Sequence, residues 1–88
     1  LQELENKLIE AGESYEESLK IYKQLASTNP DVYLPNLATT LNNIGILYVA
    51  KNELVDAGNS YLEALQIRRQ LAKTSPETYL PDVAMTLN

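Results

Sequence analysis

Two carboxylate pairs, Glu3/Glu5 and Glu16/Glu17, are where this chain could place acid–base chemistry, with six tyrosines as weaker proton donors. Nothing else offers a base: histidine and cysteine are both absent. That removes imidazole and thiolate nucleophile systems, the usual soft metal sites and any disulfide. General acid–base work needs two groups converging on one reacting atom. Each pair instead lies one or two residues apart within a helical pattern, where neighbouring side chains point in different directions. The simplest reading is that these carboxylates are solvated, so no enzyme, cofactor or metal is expected. Gly12, Gly45 and Gly58 fall in no phosphate-cradling spacing, so a nucleotide loop is not expected either.

The elements that would carry any site come in duplicate. YEESLKIYKQLAST, starting at Tyr15, returns 46 positions later as YLEALQIRRQLAKT, starting at Tyr61; NPDVYLP (29–35) returns as SPETYLP (75–81). Residues 1–42 laid over 47–88 agree at 22 of 42 positions. A repeat of this length encodes a unit that cannot bury its apolar face alone, so neighbouring copies are expected to stack.

Leu8, Ala11, Tyr15, Leu19, Tyr22 and Leu25/Ala26 recur at spacings of three and four, predicting an amphipathic helix over 8–28. Its counterpart over 53–74 uses Leu54, Ala57, Tyr61, Ala64/Leu65 and Leu71/Ala72, with Arg68 in place of Tyr22, its stem expected along the same groove. Between them, Leu37, Leu41, Ile44 and Leu47/Tyr48 predict a helix over 36–51 that Pro35 introduces. Asn52 is expected to close it in the left-handed conformation, with a tight turn into the next helix at about Glu53. Asn29 and Ser75 are expected to cap a short turn opened by the following proline, with Tyr33-Leu34 and Tyr79-Leu80 plugging the gaps between helix pairs. A glycine inside a helix costs about 0.5–1 kcal/mol relative to alanine. For Gly45 the expected compensation is close approach to Ala57/Gly58 across the turn.

Leu41-Asn42-Asn43-Ile44-Gly45-Ile46-Leu47-Tyr48, followed by Ala57, Tyr61 and Ala64, resembles the tetratricopeptide repeat signature on its first and second helices. Ala11, Tyr15, Leu19, Thr86 and Leu87 extend the resemblance over essentially the whole chain, although Ser18 stands where the family has a small alanine. The family repeat is about 34 residues. The longer unit here is similar to kinesin light chain repeats and to bacterial repeat arrays, and its superhelical curvature cannot be copied from ordinary members. The resemblance implies an all-α fold of antiparallel helix-turn-helix repeats stacked as a right-handed solenoid, serving as a non-catalytic scaffold for protein–protein interaction. It also implies a concave groove for a peptide or helix, which by position would be lined by Thr39, Asn42, Asn43, Ile46 and Val49 or Ala50, with Met85 and Asn88 starting the next row. A carboxamide offers donors and an acceptor to a peptide backbone, but it can equally bond a neighbouring loop or water. The basic clamp by which some relatives hold a C-terminal carboxylate is missing around 39–43.

Net charge is −5, which disfavours nucleic acid and anionic membrane as partners. No apolar run reaches the length of a membrane span, residues 1–10 do not read as a signal peptide, and a cytoplasmic location is the default expectation. The charge is uneven: six carboxylates and one lysine precede residue 18, whereas 66–74 holds Arg68, Arg69 and Lys73 and no acid. Opening on Leu1, the chain reads as one repeat domain cut from a longer array, with 1–5 ending one first helix and 82–88 beginning another. Unfinished helix pairs at the ends carry an alternative reading, a structural spacer or a module that self-associates head to tail or by swapping a helix.

Overall fold

The computed structural model describes residues 2–75 together with 83, 85 and 87, all helical apart from Asn29, residues 51–53 and Ser75. Helix α1 spans Gln2–Thr28, α2 Pro30–Ala50 and α3 Leu54–Thr74. No strand occurs among the described residues.

Helix α2 is the middle element, packed against α1 on one side and α3 on the other, while α1 and α3 share no comparable interface. Both packings are antiparallel. Near the α2–α3 turn Gly45 lies against Tyr61, and further from it Leu37 and Leu41 share a cluster with Ala64. On the other side Gly12 meets Leu47 near one end, and Tyr22 meets Asn36 near the other. The core follows from this layering: Leu37 and Leu41 of α2 lie between Ala26 of α1 and Ala64 of α3. Leu19, Tyr22, Tyr33, Leu34 and Ile67 pack around them, so Tyr33 and Leu34 do fill space between helices.

Some equivalent residues occupy equivalent surroundings. Val83 packs on Leu65 and Ala72 as its counterpart Leu37 packs with Leu19 and Ala26. Helices α1 and α3 also end alike. The Thr28 hydroxyl and the Asn29 N–H both donate to the Leu25 carbonyl (3.0 and 2.9 Å), as Thr74 and Ser75 do to Leu71 (2.9 and 3.0 Å). The linking residues share one backbone conformation, with φ −141°, ψ 74° at Asn29 and φ −142°, ψ 69° at Ser75.

The α2–α3 turn forms as expected. Asn52 has φ 59°; its N–H donates to the Val49 carbonyl (2.9 Å) and that of Glu53 to Tyr48 (2.8 Å). This is a Schellman closure in which an asparagine takes the left-handed position usually held by glycine.

Four expectations are corrected. The stretch 1–5 does not end a separate helix, because Gln2–Thr28 is continuous through Asn6. Helix α2 starts at Pro30, six residues before the predicted start at 36: Pro30 occupies the first turn, where a missing N–H costs nothing, and Pro35 is accommodated inside. Pro35 forfeits only the bond to the Asp31 carbonyl, on an exposed residue in the first turn where water can replace it. Asn29 makes no side-chain cap. Gly45 approaches Tyr61 and not Gly58: a Cβ there would lie 2.6 Å from a ring carbon, whereas one on Gly58 would meet nothing within 4 Å. The 76–82 connector and its expected tyrosine–leucine plug lie outside the described residues.

Candidate peptide-binding surface

Helical geometry decides which side of α2 remains open. At roughly 100° per residue, Leu37, Leu41 and Ile44 point to the core, Thr40 and Leu47 toward α1, and Ala38 and Gly45 toward α3. The remaining arc contains the expected site residues Thr39, Asn42, Asn43, Ile46, Val49 and Ala50. Thr39, Ile46, Val49 and Ala50 are exposed, Ile46 at 54%, and the two asparagines are half-buried on the flanks. Neither flanking helix covers this stripe. Asn88 lies outside the described residues, and Met85, which matches Thr39, is exposed.

The stripe combines apolar side chains with uncommitted polar ones. Neither Asn42 nor Asn43 makes a side-chain hydrogen bond within the described part of the chain, so both amides keep their donors and acceptor for another molecule or for water. No charged residue lies within it. At its α3 end, Lys51 is held by the Glu53 carboxylate at 3.6 Å and lies 5.9 Å from the centre of the Tyr48 ring.

Sequence reasoning missed a depression at the opposite end. Tyr22, Pro35, Asn36, Thr39 and Thr40 line an open hollow of about 240 Å³ between α1 and α2, continuous with the stripe through Thr39. The Asn36 amide donates to the Tyr22 hydroxyl at 3.5 Å, and the buried Thr40 hydroxyl donates to the Asn36 carbonyl at 3.0 Å. A signal was present in the sequence: Asn36, Thr39 and Thr40 are polar residues one helical turn apart, beside a proline that lacks a side chain reaching across to α1. Tyr22 was expected in the core, and it is only partly buried there.

The other chemistry-bearing residues do not converge. Glu3, Glu5, Glu16 and Glu17 are all exposed on α1. No group of three or more acidic side chains that could hold a metal occurs among the described residues. Arg68, the counterpart of Tyr22, is 9% exposed. No described helix is long and apolar enough to cross a membrane. Comparison with protein-family models, with curated proteins and with solved structures finds no match.

Proposed function

We propose that this chain is a non-catalytic protein-interaction scaffold, a piece of a right-handed tetratricopeptide-like solenoid that holds a peptide or helix along the open stripe of α2. The observation that carries the reading is the pair of hydrogen-bond-free amides, Asn42 and Asn43, on the flanks of a surface where Ile46 and Val49 stand exposed. An extended peptide would bond its backbone to the amides and lay side chains on Ile46 and Val49. The hollow beside Thr39 would receive a small neutral side chain. The tetratricopeptide assignment itself is supported by the signature residues, by the repeated surroundings of Val83 and Leu37, and by the central position of α2.

The stripe is neutral, so the ligand is not selected by a strong charge. Selection from a random peptide library gives a ligand independent of any assumed sequence. With that ligand, Asn42→Ala and Asn43→Ala should each weaken binding about five- to tenfold, the loss of roughly one hydrogen bond apiece, while leaving the thermal midpoint unchanged. Titration calorimetry showing full affinity in both variants would eliminate the stripe as the binding site.

A further inference from the structure

The hollow between α1 and α2 holds hydrogen-bonding capacity that the fold leaves unspent. Thr40, which lines it and is 7% exposed, gives its hydroxyl hydrogen to the Asn36 carbonyl. The adjacent Thr39 is exposed and makes no side-chain hydrogen bond among the described residues, so its hydroxyl can both donate and accept. The Asn36 amide gives one N–H to the Tyr22 hydroxyl at 3.5 Å, the outer limit of a hydrogen bond. Its second N–H, its carboxamide oxygen and the phenolic hydrogen of Tyr22 have no partner in the described part of the chain. Donors and acceptors thus stand side by side, and no charged residue lines the hollow among the described residues.

The two copies differ at these positions. Tyr22, Asn36 and Thr39 become Arg68, Asp82 and Met85, whereas Pro35 and Thr40 return as Pro81 and Thr86. The core beside the hollow keeps its character, with Ala26 returning as Ala72 and Leu37 as Val83. Variation therefore falls on the side chains a ligand would touch and spares those that shape the helix. The neutral set belongs to the first copy alone.

We propose that this hollow is a specificity subsite that takes a primary carboxamide, the side chain of an asparagine or glutamine in the bound peptide. A carboxamide has two N–H donors and an acceptor oxygen, matching the mixed supply from Tyr22, Asn36 and Thr39. A carboxylate has no hydrogen to give to the Asn36 oxygen and finds no cation; an ammonium or guanidinium group accepts nothing and finds no carboxylate. An alkyl side chain would strip water from the amide and hydroxyls without replacing its hydrogen bonds. At about 240 Å³ the hollow has room for several waters, which a carboxamide can displace while reproducing their bonds. Pro35 supplies an apolar wall.

The proposal rests on the peptide-binding reading and adds to it the class of side chain selected. Ligands selected from a random peptide library should share an asparagine or glutamine at one position. In a peptide with glutamine there, replacement by glutamate, lysine or leucine should each weaken binding about tenfold by titration calorimetry. Thr39→Val and Tyr22→Phe should each cost that peptide about fivefold and leave its alanine-substituted form unaffected, which ties the loss to the carboxamide. Asn36→Asp should turn the preference from glutamine to lysine, since it places a carboxylate in the hollow. Circular dichroism checks that the variants stay helical; if Tyr22→Phe does not, Thr39→Val makes the same test from an exposed position. Ligands that weaken with Asn42→Ala yet show no preference for a carboxamide, or that bind Thr39→Val and Asn36→Asp unchanged, would overturn the proposal and leave the stripe standing. A selection that yields no binder would overturn both.

Discussion

Glu5-Asn6-Lys7 and Lys51-Asn52-Glu53 occupy the same place in the two copies, yet the first is helix and the second is a turn. Asparagine stands at the centre of both. In the second, Asn52 accepts the left-handed conformation because the chain that precedes it, α2, has a long face to lay against α3. The backbone cost at Asn52 is offset by two closing hydrogen bonds and by the packing of a complete hairpin. Around Asn6 no such hairpin packs among the described residues, and Gln2–Thr28 runs through it as one helix. Continuing the helix satisfies the backbone instead, and Leu4 stays exposed. Local chemistry permits the turn at both sites, and tertiary packing makes it at one.

The largest expected break between the copies comes from the matched leucines. Leu41→Ala should cost about 2–5 kcal/mol in denaturant unfolding, by loss of buried area and creation of a cavity, whereas Leu87→Ala should cost under about 0.5 kcal/mol in dilute solution. Equal losses would show that the exposure difference between the two sites is not real.

Glycines sharpen the contrast at the next level. Gly45→Ala forces a methyl into the Tyr61 ring and should destabilise by about 1–3 kcal/mol, with a change in the tyrosine near-ultraviolet dichroism. Gly58→Ala points into open space and should stabilise by roughly 0.5–1 kcal/mol through helix propensity alone. The two melting curves should therefore move in opposite directions.

The smallest effects fall on the turn itself, where they are the most diagnostic. Asn52→Ala should destabilise by about 1 kcal/mol, because alanine resists a φ of 59°, while Asn6→Ala should stabilise by a few tenths of a kcal/mol as a better helix former. Placing a copy of residues 30–46 ahead of Leu1 should reverse the sign at Asn6. Chemical shifts that keep Asn6 helical in that longer chain would show that packing is not what decides the turn.

Much of the fold was legible because its signals are local. Helix α3 and the Asn52 turn lie within a residue or so of their predicted limits, since apolar periodicity and a left-handed asparagine need no knowledge of neighbours. The continuity of α1 was not legible, because it depends on what precedes Asn6 in space. The start of α2 was misread between two prolines, of which Pro35 has the stronger apolar run behind it and Pro30 the better first-turn position. The tetratricopeptide resemblance, carried over by position, put Thr39, Asn42, Asn43, Ile46 and Val49 on one side of α2. That this side stays open, and that a hollow lined by Tyr22 and Asn36 adjoins it, depends on where α1 and α3 settle. The partner of Gly45 was missed for the same reason: the reach of the Tyr61 ring along its helix is not written in residue spacing.

The central position of α2 has a kinetic consequence. Each interface between the three helices joins elements that are adjacent along the chain, so folding requires no closure of a long loop and either hairpin can form first. Helix α1 detaches by giving up one described neighbour, whereas α2 must lose two helices and α3 must lose α2 together with its contact to Val83. Opening therefore proceeds from the outside inward, and the amides of the central helix are the last to exchange with solvent.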